Sequence, residues 1–337
     1  MDRIRIGIVG AGFGSYGLLP AFRRDDRCEV TAIATTSPET AVRAASRLGI
    51  PRPFACWEKL VRCDEVDAVA IATPPIFQPD IAMGALSIGK PVFAEKPLAA
   101  NLAEAETLVT VAETCGVANV VDFLFPELTV FAKAKELMSQ GCIGTPLHIA
   151  AEWIFWSADH RHNATTWRTD ARSGGGALSH YGSHMIYYLQ WFFGPIASVT
   201  ARVTKPFDYR HSGDTIATLM ITFENGTAGT LTVSSGSPTA ARHSVEILGT
   251  AGTLVLSNAT ENPVYGFTLQ HHKGHDAAGD PISEPEETGV DCRVRPASQI
   301  VQRFIDWILT GKQARPSFRD GLDVQRVLES ALQSRSA

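Results

Sequence analysis

The sequence predicts an α/β protein of two domains. Residues 1–123 form a doubly wound parallel sheet, and residues 124–337 an α+β domain on an open, mostly antiparallel sheet. Three observations lead there. Short, near-continuous apolar runs alternate with helical patterns up to about residue 123. Beyond about residue 145 the runs alternate apolar with polar and are broken by hairpin turns. The length, 337 residues, suits two domains of roughly 150 residues.

Each element follows in order. Ile4–Val9, Val30–Ala34, Val66–Ala72, Pro91–Phe93 and Val117–Val121 read as buried strands. Ser37-Pro38 reads as an N-cap with proline in the first helical position. Asn101 and Glu104 resemble a capping box opening an Ala-rich helix. Strands alternating with helices imply right-handed βαβ units. Further on, Ala217, Leu219, Ile221 and Phe223 share one face of Thr215–Phe223. Asn225-Gly226 signals a hairpin turn, with Gly229–Ser234 returning. Arg242–Leu248 and Thr253–Leu256 flank Gly249–Gly252 as a second hairpin. Residues 258–295 read as loops plus one strand. Amphipathic helices near 297–310 and 320–333 close the chain and are free to pack back on the first domain.

Composition excludes several classes. Net charge is −5 and there is no Lys/Arg run, which argues against nucleic acid as a partner. No stretch of about 18 apolar residues suggests a membrane span. The N-terminus enters a strand directly, without the apolar core and cleavage site of a signal peptide. The six cysteines form no CxxC pair, so a reducing cytoplasm fits.

The first motif is Gly10-Ala-Gly12-Phe13-Gly14-Ser15, between a strand and a helix. That is the context of a dinucleotide fingerprint. Gly10 permits the tight turn, and Gly12 lets the backbone approach a pyrophosphate at the helix N-terminus. Ser15 stands at the third position, where Gly or Ala is usual, and Gly14 beside it relieves the crowding. The second strand ends Thr35-Thr36-Ser37 with no carboxylate for the ribose, and Arg43 follows on the next helix. Hydroxyls do not repel a 2′-phosphate, so NADP(H) is favoured over NAD(H). Thr35 and Ser37 also have a plain reading as turn and cap residues.

The second motif is Glu95-Lys96-Pro97 at the end of a short strand. It puts a lysine at the carboxyl edge of a parallel sheet, where ligands of such folds bind. The chain has eight lysines against 22 arginines, so a lysine here is not background. Beside an oxidised nicotinamide it would meet a like charge and lose solvation, which suits it to acid/base work. Alone, a lysine before proline is more often a solvated turn.

Taken together, the glycine turn, Ala72–Gln78 (ATPPIFQ), Gly89–Pro97 (GKPVFAEKP) and Ser173–His184 (SGGGALSHYGSH) resemble the Gfo/Idh/MocA oxidoreductases, in that order. Gly311–Glu329 is similar to that family's closing helix. The resemblance spans nearly the whole chain. It implies a Rossmann domain plus a domain with a large open sheet. It also implies NAD(P)-dependent chemistry on sugars, cyclitols or related polyols and keto-sugars. In the family the EKP lysine contacts substrate and nicotinamide, and the Lys-Pro bond is often cis. This carries over to Lys96 and Pro97. Thr73 and Pro74 keep the family's turn near the nicotinamide, where Gln78 replaces a frequent histidine.

The third motif follows Gly174–Gly176. His180 and His184 are four apart and share a helix face within Ala177–Phe193, which Tyr187 and Tyr188 extend. The family pattern, GGGxLxDxGxHxxD, makes His184 resemble a catalytic acid/base. His180 and Tyr187 stand where two Asp residues usually lie. His180 is a candidate to orient the substrate, and a histidine pair satisfied inside an interface is the plainer alternative. A metal is not expected, since zinc needs a third protein ligand and none is spaced nearby. The tract His271-His272-x-x-His275 reads as a polar loop. Trp167-Arg168 matches a pair common in the family. Arg168 could grip a carboxylate, phosphate or sugar hydroxyls, or form a salt bridge. Phe123, Phe125, Trp153, Phe155 and Trp156 are candidates for an apolar cleft wall, though strand-edge aromatics are more often core.

The expectation is therefore hydride transfer between nicotinamide C4 and a carbinol or carbonyl carbon. Lys96 and His184 form the acid/base pair, while His180 and Arg168 orient the substrate. The open sheet, which in the family packs against a partner subunit, suggests a homodimer or homotetramer. Two alternatives stand beside this: glycoside hydrolysis through transient oxidation by tightly held NAD, and a non-catalytic NAD(P) sensor. Retained Lys96 and His184 argue against the sensor.

Overall fold

The chain opens on strand β1 (Ile4–Val9), whose isoleucines at 6 and 8 are fully buried. A π turn over Gly14–Leu18 runs into α1 (Leu19–Phe22). Then come β2 (Cys28–Ala34), α2 (Pro38–Leu48), β3 (Arg52–Phe54), α3 (Trp57–Val61), β4 (Ala68–Ile71) and α4 (Gln78–Leu86). Next are β5 (Val92–Ala94), α5 (Leu102–Cys115) and β6 (Asn119–Val121). This computed structural model describes residues 3–205, 212–239, 241–274 and 279–334. His275 of the histidine tract lies outside them.

The six strands form one parallel sheet in the order β3-β2-β1-β4-β5-β6. The order reverses between β1 and β4, which is where ligands of doubly wound sheets bind. Local chemistry fixes the helices. Ser37 caps α2 by accepting from the Thr40 amide, and Gly49, at φ 65°, closes it. Asn101 Oδ1 accepts from Glu104 N, while Glu104 Oε2 reaches back to Ala100 N, a near relative of the capping box. The strand β3 was not expected. Arg-Pro-Phe has too little apolar character to register, and its proline is tolerated because β3 is an edge strand.

The second part contains α6 (Thr129–Ser139), β7 (Pro146–Ile154), α7 (Ala158–Arg161), a π turn over Leu178–Gly182, α8 (Ser183–Phe193), β8 (Ile196–Thr204) and β9 (Ile216–Phe223). It continues with β10 (Ala228–Ser234), β11 (Arg242–Gly249), β12 (Gly252–Asn258), β13 (Thr268–Lys273) and β14 (Ile282–Ser283). These eight strands form a sheet in the order β14-β13-β12-β11-β7-β10-β9-β8. Every pairing is antiparallel except β7 with β10. One face buries Ile149, Ala151 and Trp153 beside Leu219, Ile221, Val245 and Ile247. The other carries polar groups such as the Arg242–Glu152 ion pair, with Met220 64% exposed.

Helices α9 (Val294–Thr310) and α10 (Phe318–Gln333) end the chain. The structure groups into two units: Met1–Leu124 with Thr288–Gln325, and Phe125–Glu287 with Arg326–Ala337. Helix α9 therefore belongs with the parallel sheet, its Phe304 meeting Phe93 of β5 edge to face at 5.8 Å. Among the described residues no helix is long and apolar enough to cross a membrane.

Candidate active site

The carboxyl edge of the parallel sheet gathers the first set of residues. Gly10 has φ 104°, and a Cβ there would lie 2.4 Å from the Ala72 carbonyl oxygen, so only glycine makes this turn. At Gly12, apart from its immediate chain neighbours, no atom of the described residues lies within 4 Å of an added Cβ, which leaves the backbone open to a pyrophosphate. A Cβ at Gly14 would sit 2.8 Å from Ile8 Cγ2. Gly14 thus performs the close helix–strand packing that the fingerprint assigns to its third residue. Ser15 instead donates its hydroxyl to Ala11 O at 2.6 Å. Across the turn, Thr73 Oγ1 is buried without a hydrogen-bond partner, and Pro74 continues the chain beside it. Phe13 lies under the Arg293 guanidinium at 4.6 Å. An open glycine cradle beside an unused buried hydroxyl fits a dinucleotide.

The cradle yields a sharp test. The methyl added by Gly12→Ala meets no neighbour among the described residues, so the variant's melting temperature should match the parent's. Its NADH affinity, followed by nicotinamide fluorescence, should fall about tenfold or more because the new methyl blocks backbone approach. Unchanged affinity would remove Gly12 from the binding surface.

The end of β2 is more self-contained. Thr35 Oγ1 bonds Thr40 Oγ1 at 2.6 Å, and Ser37 is occupied as the cap of α2. Thr36 and Arg43 are exposed. Sequence reasoning overlooked Glu39, in the first turn of α2. Its own backbone amide and the Ser37 hydroxyl hold its carboxyl below the usual range.

The Glu95-Lys96-Pro97 segment follows β5, and its Lys96–Pro97 peptide is cis. Gln78, 0% exposed, donates Nε2 to Pro97 O at 2.7 Å. Its amide therefore braces the turn that carries the lysine. Lys96 is 8% exposed. Beside it lies Asp122, 1% exposed, at the end of β6, a residue that sequence reasoning missed. Burial pushes the Asp122 carboxyl well above its ordinary range, and the adjacent Glu95 pushes it the same way. Glu95 is also raised by burial, against the pull of Lys96. Phe123, the next residue, is fully buried.

The second unit holds the other set. Gly175 lets the helix start approach Trp167 and Arg168, since a Cβ there would meet Trp167 O at 2.3 Å. Gly176, at φ 125°, faces Asp214, which caps the helix by accepting from Leu178 N at 2.9 Å. Asp214 carries no motif and was not anticipated. The glycine triplet is thus a packing device. The run from Ala177 opens as a π turn, not as the continuous helix expected, and this gives the two histidines different neighbours. The His180 ring lies 5.0 Å from Trp167 and 4.5 Å from Tyr181. The buried His184 ring lies 5.1 Å from Phe125 and 6.4 Å from Trp153. Arg168 stacks over Trp167 at 4.8 Å. Phe125 is core, with Phe131, Trp153, Tyr188, His243 and Phe267 around it. A cavity of about 490 Å³ opens beside Trp153, Phe155, Trp156, Tyr181 and Arg161. No cluster of three or more His, Cys, Asp or Glu among the described residues is arranged to hold a metal.

Comparison with known proteins agrees with this geometry. Residues 4–123 match the model of an oxidoreductase family with an NAD-binding Rossmann fold, and residues 131–255 match the GFO/IDH/MocA C-terminal domain. An uncharacterized oxidoreductase of Synechocystis is 27% identical, over 98% of this chain and 94% of its own. Levoglucosan dehydrogenase of Pseudarthrobacter phenanthrenivorans is 26% identical, over 99% and 96%. A solved levoglucosan dehydrogenase in complex with NADH and levoglucosan shares the fold at TM-score 0.88 and 22% identity, covering 99% of this chain and 97% of that one.

Proposed function

Because this chain belongs to the Gfo/Idh/MocA oxidoreductases, an NAD(P)-dependent dehydrogenase family, we propose that it exchanges hydride with a carbinol or carbonyl carbon of a sugar, cyclitol or related polyol. The observation that carries this reading is the pairing of an open glycine cradle with a buried lysine on one edge of one sheet. A bound nicotinamide supplies the hydride acceptor or donor. Lys96 and His184 are the proposed acid–base residues. Gln78 fixes the lysine through Pro97. His180 and Arg168, packed on Trp167, orient the substrate. The aromatic cavity of the second unit suits the C–H faces of a sugar ring. Two curated relatives bear names of this class, levoglucosan dehydrogenase and D-apiose dehydrogenase.

NADP(H) is the proposed dinucleotide. Thr36, just after β2, and Arg43, on α2, are exposed, and the Glu39 carboxylate is already engaged by its own helix. Titration with NADPH and NADH, following nicotinamide fluorescence, tests both levels. Tighter binding of NADPH supports the preference. Tighter binding of NADH overturns it but keeps the dehydrogenase. Binding of neither overturns the function. Turnover is then sought with levoglucosan, apiose and inositols. The polar face of the eight-stranded sheet is the proposed subunit interface, tested by light scattering of the native protein and a Met220→Arg variant.

A further inference from the structure

Beside Lys96 lies a pair of acidic groups that the hydride-transfer scheme does not use. Strands β5 and β6 are neighbours in parallel register, with Ala94 opposite Val121. The Asp122 amide donates to Ala94 O at 2.9 Å, which sets the residues that follow each strand side by side. Their carboxyls lie within hydrogen-bonding reach of one another. Glu95 Oε1 and Asp122 Oδ1 are both buried, and neither meets a donor from the protein. Two buried carboxylates this close repel unless a proton lies between them.

We propose that Glu95 and Asp122 share one proton at neutral pH and act together as a positioning pair that presents Lys96 with a single negative charge. The role toward Lys96 rests on the dehydrogenase reading; the shared proton does not. The charged groups facing the pair are Lys96, from the same turn, and Arg293, at the start of α9. Arg293 is already held by both oxygens of Asp291, at 2.8 Å each, and of the two cations Lys96 acts on the pair the more strongly. With one shared proton the buried group is neutral as a whole. With none, a second negative charge would bind the ammonium more tightly and hinder its loss of a proton. The proton is thus a setting on the acidity of Lys96.

The test needs no substrate. Infrared spectra of the full chain at pH 7 should show a carboxylic-acid C=O stretch that exposed Asp and Glu do not give. Asp122→Asn keeps a donor to Glu95 and should abolish the band, as should Glu95→Gln. If either variant fails to fold, judged by circular dichroism, carboxyl-13C labelling of Asp and of Glu in the unsubstituted protein replaces it. The labels together should shift the band. Absence of the band in the parent, its survival in both variants, or a band that neither label moves overturns the shared proton. NADH titration of the same samples separates this from the functional reading: a protein that shows the band but binds no dinucleotide keeps the pair and loses the dehydrogenase.

Discussion

A Lys96→Met variant is expected to lose turnover by about a thousandfold or more, while its NADH affinity stays within about threefold. Methionine matches the length and apolar stem of lysine, so the buried turn keeps its packing. Gln78 still grips Pro97, because that bond runs to the backbone. What disappears is the ammonium proposed to exchange a proton with the substrate oxygen. Lys96→Arg is the informative companion. Its guanidinium keeps the positive charge beside Glu95 and Asp122 but does not deprotonate in the working range. If charge alone mattered, arginine would rescue activity. Proton transfer at Lys96 predicts that arginine stays inactive, near the methionine level. Steady-state rates on the substrate found by screening, with dinucleotide titrations alongside, decide the matter. Parental rates in Lys96→Met would move the acid–base role elsewhere.

Much of the first unit was legible in the sequence because its information is local. A parallel sheet covered on both faces writes each strand as an apolar run, and caps such as Ser37 and Asn101 mark the helices between them. The glycine turn was legible for the same reason, since φ and close approach act on single residues. The strands β7 and β8 were not. In β7, alanine stands on both faces at 150 and 151, so the alternation that buries Ile149 and Trp153 is faint until β10 and β11 flank it. Asp214 was invisible because it caps a helix 36 residues away. Asp122 did leave a signal: a lone carboxylate directly after an apolar strand, at the same edge as the lysine. Helix α9 joins the parallel sheet by long-range packing that no local pattern encodes.

Acid should weaken the second unit before the first, and His243 is the reason. This histidine is 3% exposed, stacks on Trp153 at 4.5 Å and shares a 3.1 Å hydrogen bond with the Tyr188 hydroxyl. Burial lowers its pKa from 6.5 to about 3, so the fold holds it neutral. The unfolded chain binds this proton and the native chain does not, between about pH 6.5 and 3. Stability from this site is full above pH 6.5 and is lost as pH falls, on the order of 5 kcal/mol across the whole window. The paired carboxyls of Asp25, Asp67 and Asp291 are held low by their arginines, so they release stability only below the ordinary carboxylate range. Glu95 and Asp122 act with the opposite sign. Their raised pKa values mean that the native state gains protons first as pH falls, which favours the first unit under mild acid. Between pH 6.5 and 4.5, then, His243 governs the loss, and the tryptophan stacked on it reports it. Urea melts followed by tryptophan fluorescence over that range should show the parent losing about 2–3 kcal/mol, while His243→Gln, which retains a hydrogen bond to Tyr188 without a titratable ring, stays nearly flat. The variant starts lower at pH 7 because the stacked ring is gone, so the two curves converge toward acid. Parallel curves would mean that His243 takes its proton without penalty, and the ring cluster around Phe125, His184 and Trp153 would then have to admit a charge.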